Sequence, residues 1–408
     1  MNFLILLIIL VLAFICGDNV LGVMGYPHRD FTTSAIYRLH PLSYVAILLL
    51  IYYFSIGRLQ VSSLIRQMKN EMVYLTVCLI IIGYLQVTNN LNAVSFFLDA
   101  LILPVLLSIL LKLTGKEILL RCRNLVYVFF FTNALIAILE KLKGATLIIH
   151  ESEWQFLGYF RSSALFGHPL NNGLIMAVLT IILFLAAKDN WLKLSVLIGG
   201  MLAIFCFGAR GALLGVFIGI TLNILLGMIG SDRQKANKNI RNGLLYLGLF
   251  AVIIFFVVSY TQLGDRIAAL SHVDDSAEAR VDSYAIFNGL QLKDILWGGY
   301  NTNQIDYIQY ISGVEIIENF YIVWILKFGL IMTVVLLIAL IRFLFFMMKD
   351  VEIEIKLPIL ATLFFVASTN NSLSTNTLVI SILVLAYYLM FESEVLNQKE
   401  LLFIYNNL

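Results

Sequence analysis

The sequence predicts an all-α polytopic membrane protein with about twelve transmembrane helices, bounded at about ten and about thirteen. Three observations predict it. Of the 408 residues, 61% are hydrophobic and 13% charged, with a mean hydropathy of +0.92; a soluble domain is nearer ~45–50% apolar and ~25% charged. Apolar runs near the ~20 residues that a helix needs to cross hydrocarbon recur along the whole chain. Basic residues concentrate in alternate connections between these runs. The formal charge of +2 argues against a nucleic-acid partner. The four cysteines, Cys16, Cys78, Cys122 and Cys206, lie in or beside apolar runs without CxxC pairing. Neither a metal site, a cofactor nor a disulfide framework is expected from them.

The expected spans are 2–17, 42–57, 72–88, 96–112, 124–140, 172–188, 193–209, 211–230, 243–262, 318–348, 357–370 and 376–392. The first, second and eleventh are short. The run 318–348 is too long for one upright helix and reads as a tilted or surface segment leading into a span. The N-terminus has no basic leader region and reads as a retained first helix. With that terminus inside and strict alternation, the basic clusters at 112–123 and 233–241 both fall inside, and both termini face the cytoplasm. The chain then forms a single membrane-embedded domain over 1–408. Its two long outer segments are 141–171 and 263–317. Long loops usually carry function, so function is expected at the outer face. No GxxxxGK[ST] is present and no GxGxxG follows a strand. Energy must come from a gradient or an already activated substrate.

Arg161 opens Arg161-Ser162-Ser163-Ala164-Leu165-Phe166-Gly167-His168-Pro169-Leu170-Asn171-Asn172-Gly173 just before a span. It reads as an anion-binding arginine on a bend, or as an interfacial anchor that snorkels. Arg210 stands in Gly208-Ala209-Arg210-Gly211-Ala212 between two apolar runs with almost no loop. A charge there must face a protein cavity or the interface. Arg280, in Ser276-Ala277-Glu278-Ala279-Arg280-Val281-Asp282-Ser283-Tyr284, shares the second loop with Arg266 and Lys293. Val281, Tyr284, Ala285 and Leu290 suggest an amphipathic surface helix, whose Glu278 and Asp282 could pair with Arg280. Glu315 and Glu318 precede the longest apolar run. Each reads as a helix-start carboxylate, or Glu318 reads as a desolvated general base, with His168 and His272 as alternative bases. Arginines outnumbering lysines at one outer face suit a phosphorylated anion, which guanidinium grips in a bidentate way. Near a membrane the obvious phosphorylated substrate is a lipid, and a lipid pyrophosphate is also an activated leaving group.

These pieces, in this order, resemble the O-antigen ligase and polymerase superfamily of bacterial envelope proteins, which includes the Wzy-like polysaccharide polymerases. The matching pieces are Arg161 followed by Phe166-Gly167-His168-Pro169-Leu170-Asn171, then Gly208-Ala209-Arg210-Gly211 between two spans, and Arg280 in the large outer loop. They continue with Trp297-Gly298-Gly299-Tyr300 and end with Glu318-Asn319-Phe320-Tyr321 and Gly329. The resemblance covers about residues 155–345, the expected catalytic region. It implies a metal-independent membrane glycosyltransferase of the bacterial cytoplasmic (inner) membrane with its active site on the periplasmic or outer side. The substrate would be an undecaprenyl-pyrophosphate-linked oligosaccharide. The product would be O-antigen of lipopolysaccharide, capsule or a similar polysaccharide, with a chain-length regulator as an optional partner. Arg210, Arg280 and Glu318 are the expected catalytic residues. Arg161, His168, Asn171, Arg266, Asn319 and Tyr321 are the expected substrate-binding residues. Glu318 stands where ligases are expected to carry a histidine, which favours a repeat-unit polymerase over a ligase. A transporter or flippase of lipid-linked sugars is the non-enzyme alternative, and Lys327 is the charge that keeps it open.

Overall fold

The computed structural model describes residues 1–28, 37–88, 94–148, 155–156, 159–229, 233–260, 281–314 and 317–392. Over these residues the chain is an α-helical membrane protein, and every apolar run expected as a span is helical. In chain order the helices are α1 (Phe3–Phe14), α2 (Asp18–Val23), α3 (Pro41–Ser55), α4 (Val61–Gln67), α5 (Lys69–Val87), α6 (Val94–Lys112), α7 (Lys116–Lys143), α8 (Pro169–Ala186), α9 (Asn190–Phe207), α10 (Arg210–Ile229), α11 (Arg233–Tyr260), α12 (Leu292–Trp297), α13 (Thr302–Ser312), α14 (Phe320–Met347), α15 (Ile353–Ser368) and α16 (Val379–Phe391). Seven of them, α5 to α10 with α14, are long and apolar enough to cross a membrane. The three spans that the sequence reads as short are short, α1 with 12 residues, α3 with 15 and α15 with 16, and α16 is short as well. The first long loop carries a two-residue antiparallel pairing of Gln155–Phe156 with Tyr159–Phe160.

Local chemistry sets the helix starts. His40 and His168 each precede a proline at the first helical position. Each ring accepts the backbone N–H two residues on, at 3.1 Å for Leu42 and 3.2 Å for Leu170. Proline there gives up an N–H that no helical carbonyl would have met. Asp189 caps α9 through Leu192 N–H at 3.0 Å.

The centre of the bundle is α8 with α16, whose residues are almost all buried. A helix that is apolar all round belongs in such a position. Around α8 pack α9, α10, α15 and α16. Gly215 and Gly219 of α10 lie against Val366 and Thr362 of α15, small residues that let two backbones approach in a medium with no hydrophobic drive between helices.

The contacts at the two ends of the bundle follow the alternation read from the sequence. At one end Arg342 donates to Asn70 at 3.0 Å, Lys112 pairs with Glu71 at 2.5 Å, and Lys356 donates to Lys349 O at 3.2 Å. At the other, Ser162 N–H donates to Cys206 O at 3.1 Å and Phe320 N–H to Asn370 O at 3.2 Å. Each of these contacts joins residues expected on the same side.

As its length implied, the run 318–348 is not one upright helix but a first segment leading into a span. It is α14, broken at Gly329, whose φ of 82° and ψ of 158° are closed to other residues. Residues 330–347, about 27 Å long, are close to the ~30 Å of hydrocarbon. The break frees carbonyls, and two are met at once: Gly299 N–H donates to Lys327 O and Tyr300 N–H to Leu326 O, both at 3.1 Å. Non-helical backbone at the edge of the membrane is tolerated when protein satisfies it in this way. A Cβ at Gly298 (φ 60°) would lie 2.2 Å from Gly329 N. The motif Trp297-Gly298-Gly299-Tyr300 is therefore the plug of the α14 break.

The second long loop has its own small core of Ile286, Ile305, Ile308, Ile317, Ile322 and Leu326. The expected amphipathic α-helix is corrected in its winding, and Ile286 is its buried residue, with Ala285 and Leu290 packed against the same core. Residues 283–289 wind as a 3₁₀ helix, so the 3.6-residue period does not apply to them.

Candidate functional site

The candidate site begins with a carboxylate that the sequence does not mark. Glu140, at the end of α7, is fully buried. It accepts N–H bonds from Ser163 (3.1 Å), Ala164 (2.9 Å) and Leu147 (3.0 Å), with the Ser162 hydroxyl at 2.5 Å. A buried carboxylate persists only with such donors. Glu140 thereby fixes the turn at 162–164, in which Ala164 takes the left-handed φ of 38°.

That turn aims Arg161 across the end of α9. Arg161 Nε donates to Phe207 O at 2.9 Å. The chain then reverses through Gly208, which ends α9 in a left-handed conformation, and Arg210 opens α10. Arg161 is thereby tied to the turn from which Arg210 opens α10. A cation at a helix N-terminus opposes the helix dipole.

The neighbouring helix ends converge on this turn. A Cβ at Gly173 of α8 would lie 2.5 Å from Ala209, and one at Gly211 would lie 2.4 Å from Thr369 Oγ1 at the end of α15. The next residue, Asn370, accepts Phe320 N–H through its carbonyl, which seats the Glu318-Asn319 step beside α10. Asn371 Nδ2 donates to Ile317 O at 3.3 Å. The N-termini of α8, α10 and α14 thus gather at one end, each with its positive dipole pole.

The structure brings together Arg161, His168, Asn171, Arg210, Glu318 and Asn319. His168 caps α8. Asn171 accepts from Ser372 at 2.6 Å. Its neighbour Asn172 donates to Ser163 O at 2.6 Å and to His168 O at 3.2 Å. Asn319 is buried and Glu318 is half-buried. Tyr321 packs one turn further along α14, its hydroxyl bonded to that of Tyr284. Arg266, His272, Glu278, Arg280 and Glu315 lie outside the described residues. Lys327 is placed apart from the arginines, its ammonium 4.8 Å from the Phe96 ring centre.

Beside this assembly stands a cluster that sequence reasoning missed. His28 bridges two carboxylates, Asp18 at 2.7 Å through Nδ1 and Asp99 at 3.4 Å through Nε2. Asp99 is fully buried and also accepts His40 N–H at 3.0 Å and the Ser43 hydroxyl at 2.6 Å. The residues around it, Phe97–Ile102, wind as a π-helix inside α6. Burial lowers the His28 pKa, but the hydrogen bonds to Asp18 and Asp99 outweigh it and raise the value to about 9. Burial and the neighbouring His28 charge push His40 down to about 4. Asp18, His28, His40, Asn171, Asn376 and Thr377 line one small cavity, walled by Phe166. Among the described residues no group of three or more His, Cys, Asp or Glu could hold a metal ion.

No family model matches the chain, and no curated protein matches it.

One signal could have found the missed cluster. Asp99 is an acid inside the apolar run Phe96-Phe97-Leu98-Asp99-Ala100-Leu101, and ionisable residues within spans mark functional sites. His28, His40 and Asp18 carry no such pattern.

Proposed function

We propose that the protein is a polymerase of lipid-linked oligosaccharide repeat units in a bacterial cytoplasmic membrane. It transfers an undecaprenyl-pyrophosphate-linked glycan to a sugar hydroxyl of another lipid-linked unit, at the outer face. The observation that carries this reading is the bond from Arg161 to the turn that leads into Arg210, among three helix N-termini with the Glu318-Asn319 step and Asn171 alongside. Two guanidinium groups and three positive helix poles suit a pyrophosphate. They would stabilise the charge that grows on it as the anomeric C–O bond breaks.

In this reading Arg210 and Arg280 hold the donor pyrophosphate, and Arg161 assists or holds the acceptor pyrophosphate. Glu318 orients the acceptor or takes its proton. His168, Asn171, Asn319, Tyr321 and Arg266 bind the sugars. The positive-inside charge bias supports an outer-face position for this end of the bundle. A Glu318→Gln protein with full activity would remove Glu318 from the proton-accepting role.

A ligase that moves finished glycan to lipid A-core uses the same donor chemistry. A transporter of lipid-linked sugars is favoured by different features. Asp99 is a buried charge within a span, and α14 is broken beside Lys327, both of which transporters use.

A gel of surface glycans from a strain lacking the gene separates the three. Core carrying single repeat units without a ladder is the result expected for a polymerase. Bare core, with long chains held on the lipid carrier, identifies a ligase. Repeat units trapped on the cytoplasmic side identify a transporter and refute the arginine clamp.

A further inference from the structure

The Asp18–His28–Asp99 cluster has no role in the transfer step as described above. Three features set it apart from a solvated ion pair. Asp99 lies within a span, where an unpaired carboxylate is costly, and on a π-helical turn, a distortion common at functional sites. His28 is held between both carboxylates with a side chain only 3% exposed. Asp18, 11% exposed, borders the cavity that also takes in Asn171, Asn376 and Thr377.

The size of the cavity limits what it receives. About 10 Å³ is open to the centre of a water-sized group, room for one such group. That is the scale of a single hydroxyl. The wall supplies a carboxylate, carboxamides and a hydroxyl against the apolar Phe166, the mixture of acceptors and donors that a hydroxyl needs. Asn171 belongs both to this wall and to the segment that Arg161 opens. Its bond to Ser372 ties it to the turn carrying Asn376 and Thr377.

We propose that this cavity receives the attacking hydroxyl of the acceptor sugar, with Asp18 as its proton acceptor and His28 and Asp99 as positioning residues. The inference rests on the glycan-transfer reading above and gives Glu318 the acceptor-orienting role. In the step, the acceptor oxygen forms a bond to the anomeric carbon of the donor. The anomeric C–O bond to pyrophosphate breaks, and its electron pair leaves on undecaprenyl pyrophosphate. The hydroxyl proton passes to the Asp18 carboxylate and then to water. His28 holds Asp18 through Oδ1 and so fixes the direction in which the carboxylate faces. Asp99 holds His28 and, through His40 N–H and Ser43, fastens the loop to α6.

The test uses the full-length protein in phosphatidylethanolamine–phosphatidylglycerol vesicles. The probe is lipid-linked repeat unit extracted from the strain lacking the gene. Asp18→Asn is expected to lower kcat at least about 100-fold, the scale of a lost general base, with KM for the lipid-linked unit unchanged within about twofold. Asp18→Ala should regain at least about tenfold of its lost rate when sodium formate, a small carboxylate, is added. Asn376→Leu, which fills the cavity from its partly exposed side, guards against a misfolded Asp18 variant and should lower kcat about tenfold.

An Asp18→Asn protein with near-normal kcat overturns the inference. So does a loss that raises KM and resists formate, which is the signature of a structural role, and so does an unaffected Asn376→Leu protein. In those cases wild-type vesicles still lengthen the glycan and the transfer reading stands. Wild-type vesicles that make no longer glycan refute the transfer reading and this inference with it.

Discussion

Asn171 Oδ1 accepts a 2.6 Å hydrogen bond from Ser372 Oγ, joining the start of α8 to the turn that follows α15. The two residues are 201 positions apart in the chain. This bond ties the segment opened by Arg161 to the turn that receives the α14 N-terminus. Ser372→Ala leaves the buried Asn171 oxygen without this donor, at a cost of about 1–3 kcal/mol. Its melting temperature should fall and its glycan ladder should shorten. A wild-type melt would show that the two turns are held together elsewhere.

Arg210→Ala should abolish polymer while the protein stays at its normal level in membranes. Truncating a partly exposed side chain at a helix start leaves packing largely intact. Arg210→Lys should stay severely impaired, because an ammonium cannot reproduce the bidentate fork. Glycan gels and membrane blots read both variants. Near-normal polymer from Arg210→Ala removes Arg210 from the mechanism.

Gly329→Ala should destabilise the protein by about 2 kcal/mol or more. The backbone region occupied by Gly329 is essentially closed to alanine, and the new Cβ would lie 2.3 Å from Leu296 O. Gly83→Ala in α5 meets nothing within 4 Å and is the control, expected to be neutral or stabilising by up to about 1 kcal/mol. Thermal unfolding in detergent compares the two. Equal melting temperatures would mean that the plug at Trp297-Gly298-Gly299-Tyr300 does not depend on the break.

His28 should make stability pH-dependent. Its pKa rises from 6.5 to about 9 on folding. Its contribution is therefore complete below pH 6.5 and is lost as the pH climbs through about 9. The groups facing His28 are Asp18, Asp99 and His40. The melting temperature of wild type minus that of His28→Gln should shrink between pH 6.5 and pH 9.5. A difference independent of pH would show that His28 is neutral in the folded protein.

Much of the fold was legible because membrane helices announce themselves by run length. All twelve apolar runs are helical, and the contacts at each end respect the alternation. The break in α14 was legible only as an excess of length, since Gly329 alone does not reveal which carbonyls Gly299 and Tyr300 will satisfy. The arginine turn was readable from Gly208 and Arg210, because small residues between two spans leave no other geometry. Glu140 was invisible, because a carboxylate at a helix end reads as a solvated terminus until its donors from 147 and 162–164 are seen. The Asp18–His28–Asp99 cluster joins α2, a loop and α6. Contacts between such distant segments leave no spacing for a single sequence to display.

The central claim is that this chain lengthens a lipid-linked glycan by itself. The most direct measurement reconstitutes purified wild-type and Arg210→Ala protein in vesicles containing lipid-linked repeat units. Glycan length and released undecaprenyl pyrophosphate are then followed over time. The account predicts a ladder of longer lipid-linked glycans, one pyrophosphate-lipid released per unit joined, and neither product with Arg210→Ala. Repeat units that cross the membrane without lengthening, equally well with Arg210→Ala, would contradict it.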